Sequence, residues 1–222
     1  MNARIPRRAL LHLAASAAGT LCWARGTWAA PTLRVYLQPL GGALPEDDTA
    51  LVETALRQLL GVEVRKLERV ELPAAAYYPP RRRYRAERLL TFLNTRLPPD
   101  GGRILGLTGV DISTTKDAYP DWGVLGLGEL PGTATVISAF RCHKKSRGAQ
   151  HARERLAKVS VHEIGHTLGL EHCSTLGCLM EDAGGKVATC DREYDFCPRC
   201  RGLLATAGRP LPAQPIIPWP RP

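Results

Sequence analysis

HEIGHTLGLEHCSTLGCLM, residues 162–180, sets three histidines, a glutamate, two cysteines and a methionine within one short stretch. His162 and His166 are four apart, so on a helix their imidazoles share a face, one turn apart. That spacing lets two nitrogens hold a single zinc ion. Glu163 follows the first histidine and points partly sideways, where it can reach a water without entering the ligand shell. Gly169 can take the left-handed conformation that ends a helix, which turns the chain back and brings His172 round as third ligand. Three protein ligands leave one position open, as a catalytic zinc site requires. Zinc brings the acidity constant of its water to about 7, and Glu163 would pass that water's proton to a leaving amine.

Four cysteines form a second set. Cys173 and Cys178 precede a Cys-x-x-Cys at Cys197 and Cys200. This two-plus-two spacing is that of a closed, structural zinc site, and it makes Zn2+ the expected cofactor twice per chain. Two disulfides among the same four cysteines are the alternative. Cys142 and Cys190 are left over, and they could pair with each other if the fold brings them together.

The extended pattern His162-Glu163-x-x-His166-x-x-Gly169-x-x-His172, with a methionine shortly after, resembles the metzincin metallopeptidases. Met180 matches the methionine that lies beneath the zinc in that clan. Cys173 directly after the third histidine, Cys178-Leu179-Met180 and Cys197-Pro198-Arg199-Cys200 narrow the resemblance to the archaemetzincins. It extends upstream through ILGLTGVDI, VLGLGEL and ISAFRC and covers most of residues 32–205. The stretch from Glu181 to Val187 is less typical. The resemblance implies a compact α+β domain, α/β/α-like, with a mixed twisted sheet of about five strands and an active-site helix. It also implies a C-terminal subdomain tied by the four-cysteine zinc. Peptides or small proteins would be the substrates, and an edge strand would bind their backbone. VLGLGEL is the candidate edge, since its glycines permit close approach.

Working outward, LRVYLQPL (33–40) alternates as a strand. An acidic start at Pro45-Glu46-Asp47-Asp48 opens a helix whose apolar residues Val52, Ala55, Leu56 and Leu59 run to Gly61. VEVRKLERVEL reads as a second strand, and a second helix is predicted from about Arg82 to Leu97. Arg81, Arg82, Arg83, Arg85 and Arg88 would form its solvated face. RILGLTGVDI, WGVLGLGEL and TATVISAF read as three further strands, and the motif helix begins near Gln150. Residues 206–222 form a proline-rich tail that can be neither helix nor strand.

Residues 1–30 read as a signal peptide, with a basic start at Arg4, Arg7 and Arg8, an apolar run and small residues near Ala30. Arg7-Arg8-Ala9-Leu10-Leu11 resembles a twin-arginine export signal. The expectation is a periplasmic or secreted protein with no stable membrane anchor after cleavage. A cytoplasmic protein with an uncleaved basic segment is the alternative. Hydrophobic content of 44% and charged content of 23% exclude a disordered chain. Of the formal charge of +9, four arginines of the leader carry a large share, so no nucleic-acid partner is expected. Composition leaves the oligomeric state open. The functional expectation is a zinc-dependent peptidase with Glu163 as base. A non-catalytic, zinc-stabilised binding protein is the rival, but a scaffold has no need of a carboxylate beside the metal.

Overall fold

Alternation along the first strand decides which layer each residue serves. Val35 and Leu37 pack into one core and Tyr36 and Leu40 into the other, all at most 3% exposed. The computed structural model describes residues 32–222, and the leader reading lies outside the described residues. In chain order the strands are β1 (Arg34–Leu40), β2 (Glu63–Lys66), β3 (Tyr77–Tyr78), β4 (Arg83–Arg85), β5 (Arg103–Thr108), β6 (Ile112–Lys116), β7 (Tyr119–Val124), β8 (Gly126–Gly128) and β9 (Ala134–Ser138). The helices are α1 (Glu46–Leu60), α2 (Ala86–Asn94), α3 (Ala139–Cys142), α4 (Ala149–Thr167) and α5 (Pro198–Thr206). None of the described helices is long and apolar enough to cross a membrane.

The main sheet has five strands in the order β2-β1-β5-β9-β8. Its first four strands are parallel, and β8 closes the edge antiparallel to β9. α1 and α4 fill the core on one face, and α2 fills the core on the other. This is the α+β architecture that the resemblance implies. α1 starts behind Pro45 with three acidic residues in its first turn and ends at Gly61, where φ is 65°. Asp48 is buried and accepts from Arg153 of α4 at 3.1 Å, which fixes one helix against the other.

Four predicted elements change on folding. The helix expected from Arg82 starts only at Ala86, because residues 83–85 are taken up by β4, where Tyr84 registers with Ile112 of β6. Arg83 and Arg85 are therefore not a solvated helix face. Arg83 Nε lies 3.4 Å from Asp111, and Arg85 Nη2 lies 3.1 Å from Glu87. RILGLTGVDI splits at Gly109-Val110-Asp111 into β5 and β6, which belong to different sheets. WGVLGLGEL divides likewise. β7 pairs with β6 in a second sheet ordered β3-β4-β6-β7, while β8 joins the main sheet. Of VEVRKLERVEL, only residues 63–66 form a strand, and Val70 adds an isolated bridge to Leu40.

The segment after α5 forms neither helix nor strand, yet it is anchored. Trp219 is 4% exposed, and its Nε1 donates to the Tyr194 carbonyl at 3.1 Å. Leu211 and Ile217 pack against the same core.

Candidate active site and metal centres

The active-site helix α4 is buried over most of its length, with Val161 and Ile164 in the core. It ends where the sequence places the break. Leu170 N–H donates to the Gly165 carbonyl at 3.0 Å and Gly169 N–H to His166 at 2.9 Å, with Gly169 at φ +94°. These are the two bonds of a Schellman cap, which turns the chain so that His172 comes back over the helix.

His162, His166 and His172 each offer a ring nitrogen, and these atoms lie within 4.8 Å of one another. The ring centroids of His172 lie 5.4 Å from His162 and 4.9 Å from His166. Backbone carbonyls orient the first two rings. His162 Nδ1–H donates to Leu179 O and His166 Nδ1–H to Leu170 O, each at 2.7 Å. That tautomer turns both Nε2 lone pairs inward, 3.0 Å apart. Burial, followed by the neighbouring His166, holds His162 down to about 3, and burial lowers His166 as well. Both rings are therefore neutral at physiological pH, the state in which imidazole binds a metal. The donor set and its tautomers fit a zinc ion.

Glu163 is 8% exposed and lies under β8. A Cβ on Gly126 would stand 2.9 Å from its Oε1, and one on Gly128 would stand 2.7 Å from its backbone carbonyl oxygen. Only glycine leaves room for the carboxylate at these positions. Burial raises Glu163 to about 8, against the backbone hydrogen bond from Gly128. Leu125 O accepts from Ser138 and Glu129 N–H donates to Ala134 on β9, so Gly126 and Gly128 turn their backbone groups to the sheet's outer edge.

These residues line a cavity of about 720 Å³. Its walls include Trp122 from β7, Arg141 from α3 and Val159 from α4, with Glu193 from the segment before α5. Arg141 is bound to Asp111 at 2.6 Å, which gives both a structural part beneath the cleft. Met180 is fully buried against α4 at Gly165.

Cys173, Cys178, Cys197 and Cys200 converge beside this site, all buried, with their sulfurs within 4.8 Å of one another. Cys173 and Cys197 are 3.7 Å apart and Cys178 and Cys200 3.8 Å. A disulfide needs about 2.05 Å. Sulfurs around a tetrahedral zinc, with Zn–S bonds of about 2.3 Å, stand roughly 3.8 Å apart. The four-sulfur cluster fits the metal and not the disulfide alternative. Cys178 accepts from the amides of Met180 and Cys197, each at 3.4 Å. Although burial opposes it, the Cys200 amide and the neighbouring sulfurs pull Cys197 down to about 6. Cys142 and Cys190 stand as free, buried thiols.

The candidate metal ligands were legible as motifs, but the groups that orient them were not. The carbonyls of Leu170 and Leu179 carry no signal in side-chain identity. Glu193 comes from a stretch without a motif.

The family model for peptidase family M54 matches residues 52–206. The archaemetzincin of Haloquadratum walsbyi is 32% identical over 177 residues, which are 77% of this chain and 98% of that protein. The crystal structure of archaemetzincin from Methanopyrus kandleri is similar with a TM-score of 0.69 and 31% identity, over 79% of this chain and 94% of that one. The archaemetzincin of Archaeoglobus fulgidus, solved in complex with malonate, is similar with a TM-score of 0.64 and 32% identity, over 77% and 99% of the two chains. The helix, the turn at Gly169 and the two ligand clusters thus sit in a fold shared along nearly the whole of these relatives, and the chain belongs to peptidase family M54, the archaemetzincins, as a zinc metallopeptidase.

Proposed function

We propose that the chain hydrolyses peptide bonds with Glu163 as general base, in a zinc site held by His162, His166 and His172. In this reading Cys173, Cys178, Cys197 and Cys200 hold a second, structural zinc. The observation that carries it is the Glu163 carboxyl, buried beside the three rings in a space that only glycines at 126 and 128 leave open. Bound by the rings, zinc supplies Lewis acidity and makes water acidic near neutral pH. Glu163 accepts the proton of the attacking water and returns it to the leaving amine. Burial makes the ionised carboxylate a stronger proton acceptor than an exposed one, and a cation held by the three rings would keep it ionised. The outward backbone groups of Gly126 and the Gly128 carbonyl offer an extended peptide a strand to pair with, which would hold the scissile bond over the rings. The cysteine cluster ties the loop after His172 to the start of α5, and so keeps the third ligand in place.

Glu163→Gln tests the assignment. The variant should keep both zinc ions by elemental analysis and lose hydrolysis of a mixed peptide library by about 10²–10⁴-fold. Undiminished turnover would overturn the role of Glu163. Export through residues 1–30 belongs to the same reading, and N-terminal sequencing of the mature protein tests it.

A further inference from the structure

Glu193 is 2% exposed and lines the same cavity as the three histidines. Among the described residues its carboxylate has no hydrogen-bond or ion-pair partner. That is unusual for an acidic side chain, because buried carboxylates are normally paired. The neighbouring ionisable groups make their direct contacts elsewhere, although the Lys158 charge still acts on Glu193. Lys158 donates to the Cys190 carbonyl at 2.9 Å and lies 5.4 Å from the Trp219 ring centroid. Asp191 is held by Arg155 at 2.7 Å. Arg192 is paired with Glu181.

The cations that line the cavity are occupied too. Arg141 is bound to Asp111, Lys116 lies 5.6 Å from the Trp122 ring centroid, and Lys144 lies 5.0 Å from that of Phe140. The other carboxylates of the lining belong to the metal end, since Glu163 directly follows His162, the exposed Glu171 directly precedes His172, and Asp182 is 4.0 Å from His172. The lining that Glu193 shares with the rings includes the apolar Val159, one turn before Glu163 on α4, and the buried Cys190 thiol. A cavity lined by apolar groups together with a buried carboxylate suits a side chain with an aliphatic stem and a cationic head.

We propose that Glu193 forms the acidic end of a side-chain pocket off the zinc cleft and selects substrates with Lys or Arg next to the scissile bond. This names the substrate class for the peptidase reading above and rests on it. Burial raises Glu193 to about 8, opposed chiefly by Lys158. A cationic head would supply the close partner that the fold withholds and would keep the carboxylate ionised.

The test separates binding from turnover. Fluorescently labelled seven-residue alanine peptides, with Lys, norleucine or Glu at each position in turn, are titrated against the zinc-loaded Glu163→Gln chain. At one position Lys should bind about tenfold tighter than norleucine. Adding Glu193→Gln should abolish that difference, and adding Glu193→Lys should make the Glu peptide the tighter one. Zinc content and circular dichroism identify any variant that fails to fold, and the remaining one decides. Equal affinities at every position, no binding of any peptide, or a Lys preference that persists in the folded variants would overturn the proposal. Lys-selective binding that depends on Glu193, without cleavage by the unsubstituted chain, would sink the peptidase reading and leave Glu193 as a Lys-binding site without a scissile bond.

Discussion

The sulfur of Met180 occupies the space that a side chain at Gly165 would need, since a Cβ there would stand 2.5 Å from it. Met180 is fully buried, and its neighbour Leu179 supplies the carbonyl that orients His162. The contact therefore presses the loop that carries Leu179 against the helix that carries the rings. Gly165→Ala should cost about 1–3 kcal/mol through overpacking. Met180→Ala should cost about 2–5 kcal/mol through the cavity it leaves. Thermal unfolding of the zinc-loaded protein checks both, and an unchanged midpoint in Gly165→Ala would show that the two elements are free to separate.

Gly126 offers a cleaner separation of activity from stability. A Cβ there would lie 2.7 Å from Cγ of Glu163, so Gly126→Ala must displace the carboxylate. The expected result is a fall in kcat of about 10²-fold, because a small misplacement of a reacting group is costly. Zinc content should not change. Steady-state kinetics beside elemental analysis reads both quantities, and an unaltered kcat would mean that the carboxylate's position is not critical.

The sulfur cluster makes a stoichiometric prediction. The intact chain should bind two zinc ions, and Cys197→Ser should bind one. The loss should cost about 3 kcal/mol or more, or roughly 6–12 °C in Tm for a chain of this size. A variant that still carries two zinc ions would place the second ion elsewhere.

Asp191 gives a pH prediction away from both clusters. It accepts from Arg155 at 2.7 and 2.8 Å and lies 2.7 Å from His151. The Arg155 guanidinium, with help from His151, holds it down to about 2. A carboxyl whose folded value lies below its unfolded one stabilises fully above the unfolded value, near 4, and loses that contribution as pH falls toward 2. Denaturant titrations should show Asp191→Asn about 2 kcal/mol less stable at pH 6, a gap that narrows between pH 4 and pH 2. Comparing the two proteins cancels the protonation of the candidate zinc ligands. A gap that is constant with pH would mean that Asp191 acts by packing alone.

Much of the fold was legible because its signals are local. The alternation of residues 33–40, the acidic start and glycine stop of α1, and the approach to α4 each follow from backbone periodicity and capping. The split of RILGLTGVDI and WGVLGLGEL between two sheets was not legible. A continuous apolar run does not say which neighbour it will pair with, and only the second sheet, with the half-buried ion pair of Arg83 and Asp111, decides where each strand ends.

The sequence by itself determined which residues were candidates to grip metal. Their spacing falls within one helical turn, one capped reversal or one short loop, and helix and turn geometry convert such spacing directly into proximity. Only the tertiary structure decided what surrounds them. Gly126 and Gly128 lie over Glu163, and Glu193 comes from a separate segment to line the same cavity. Trp219 returns from the far end of the chain to cover Lys158. These contacts join segments far apart in the chain, and their energies come from burial and close packing, which no local pattern encodes.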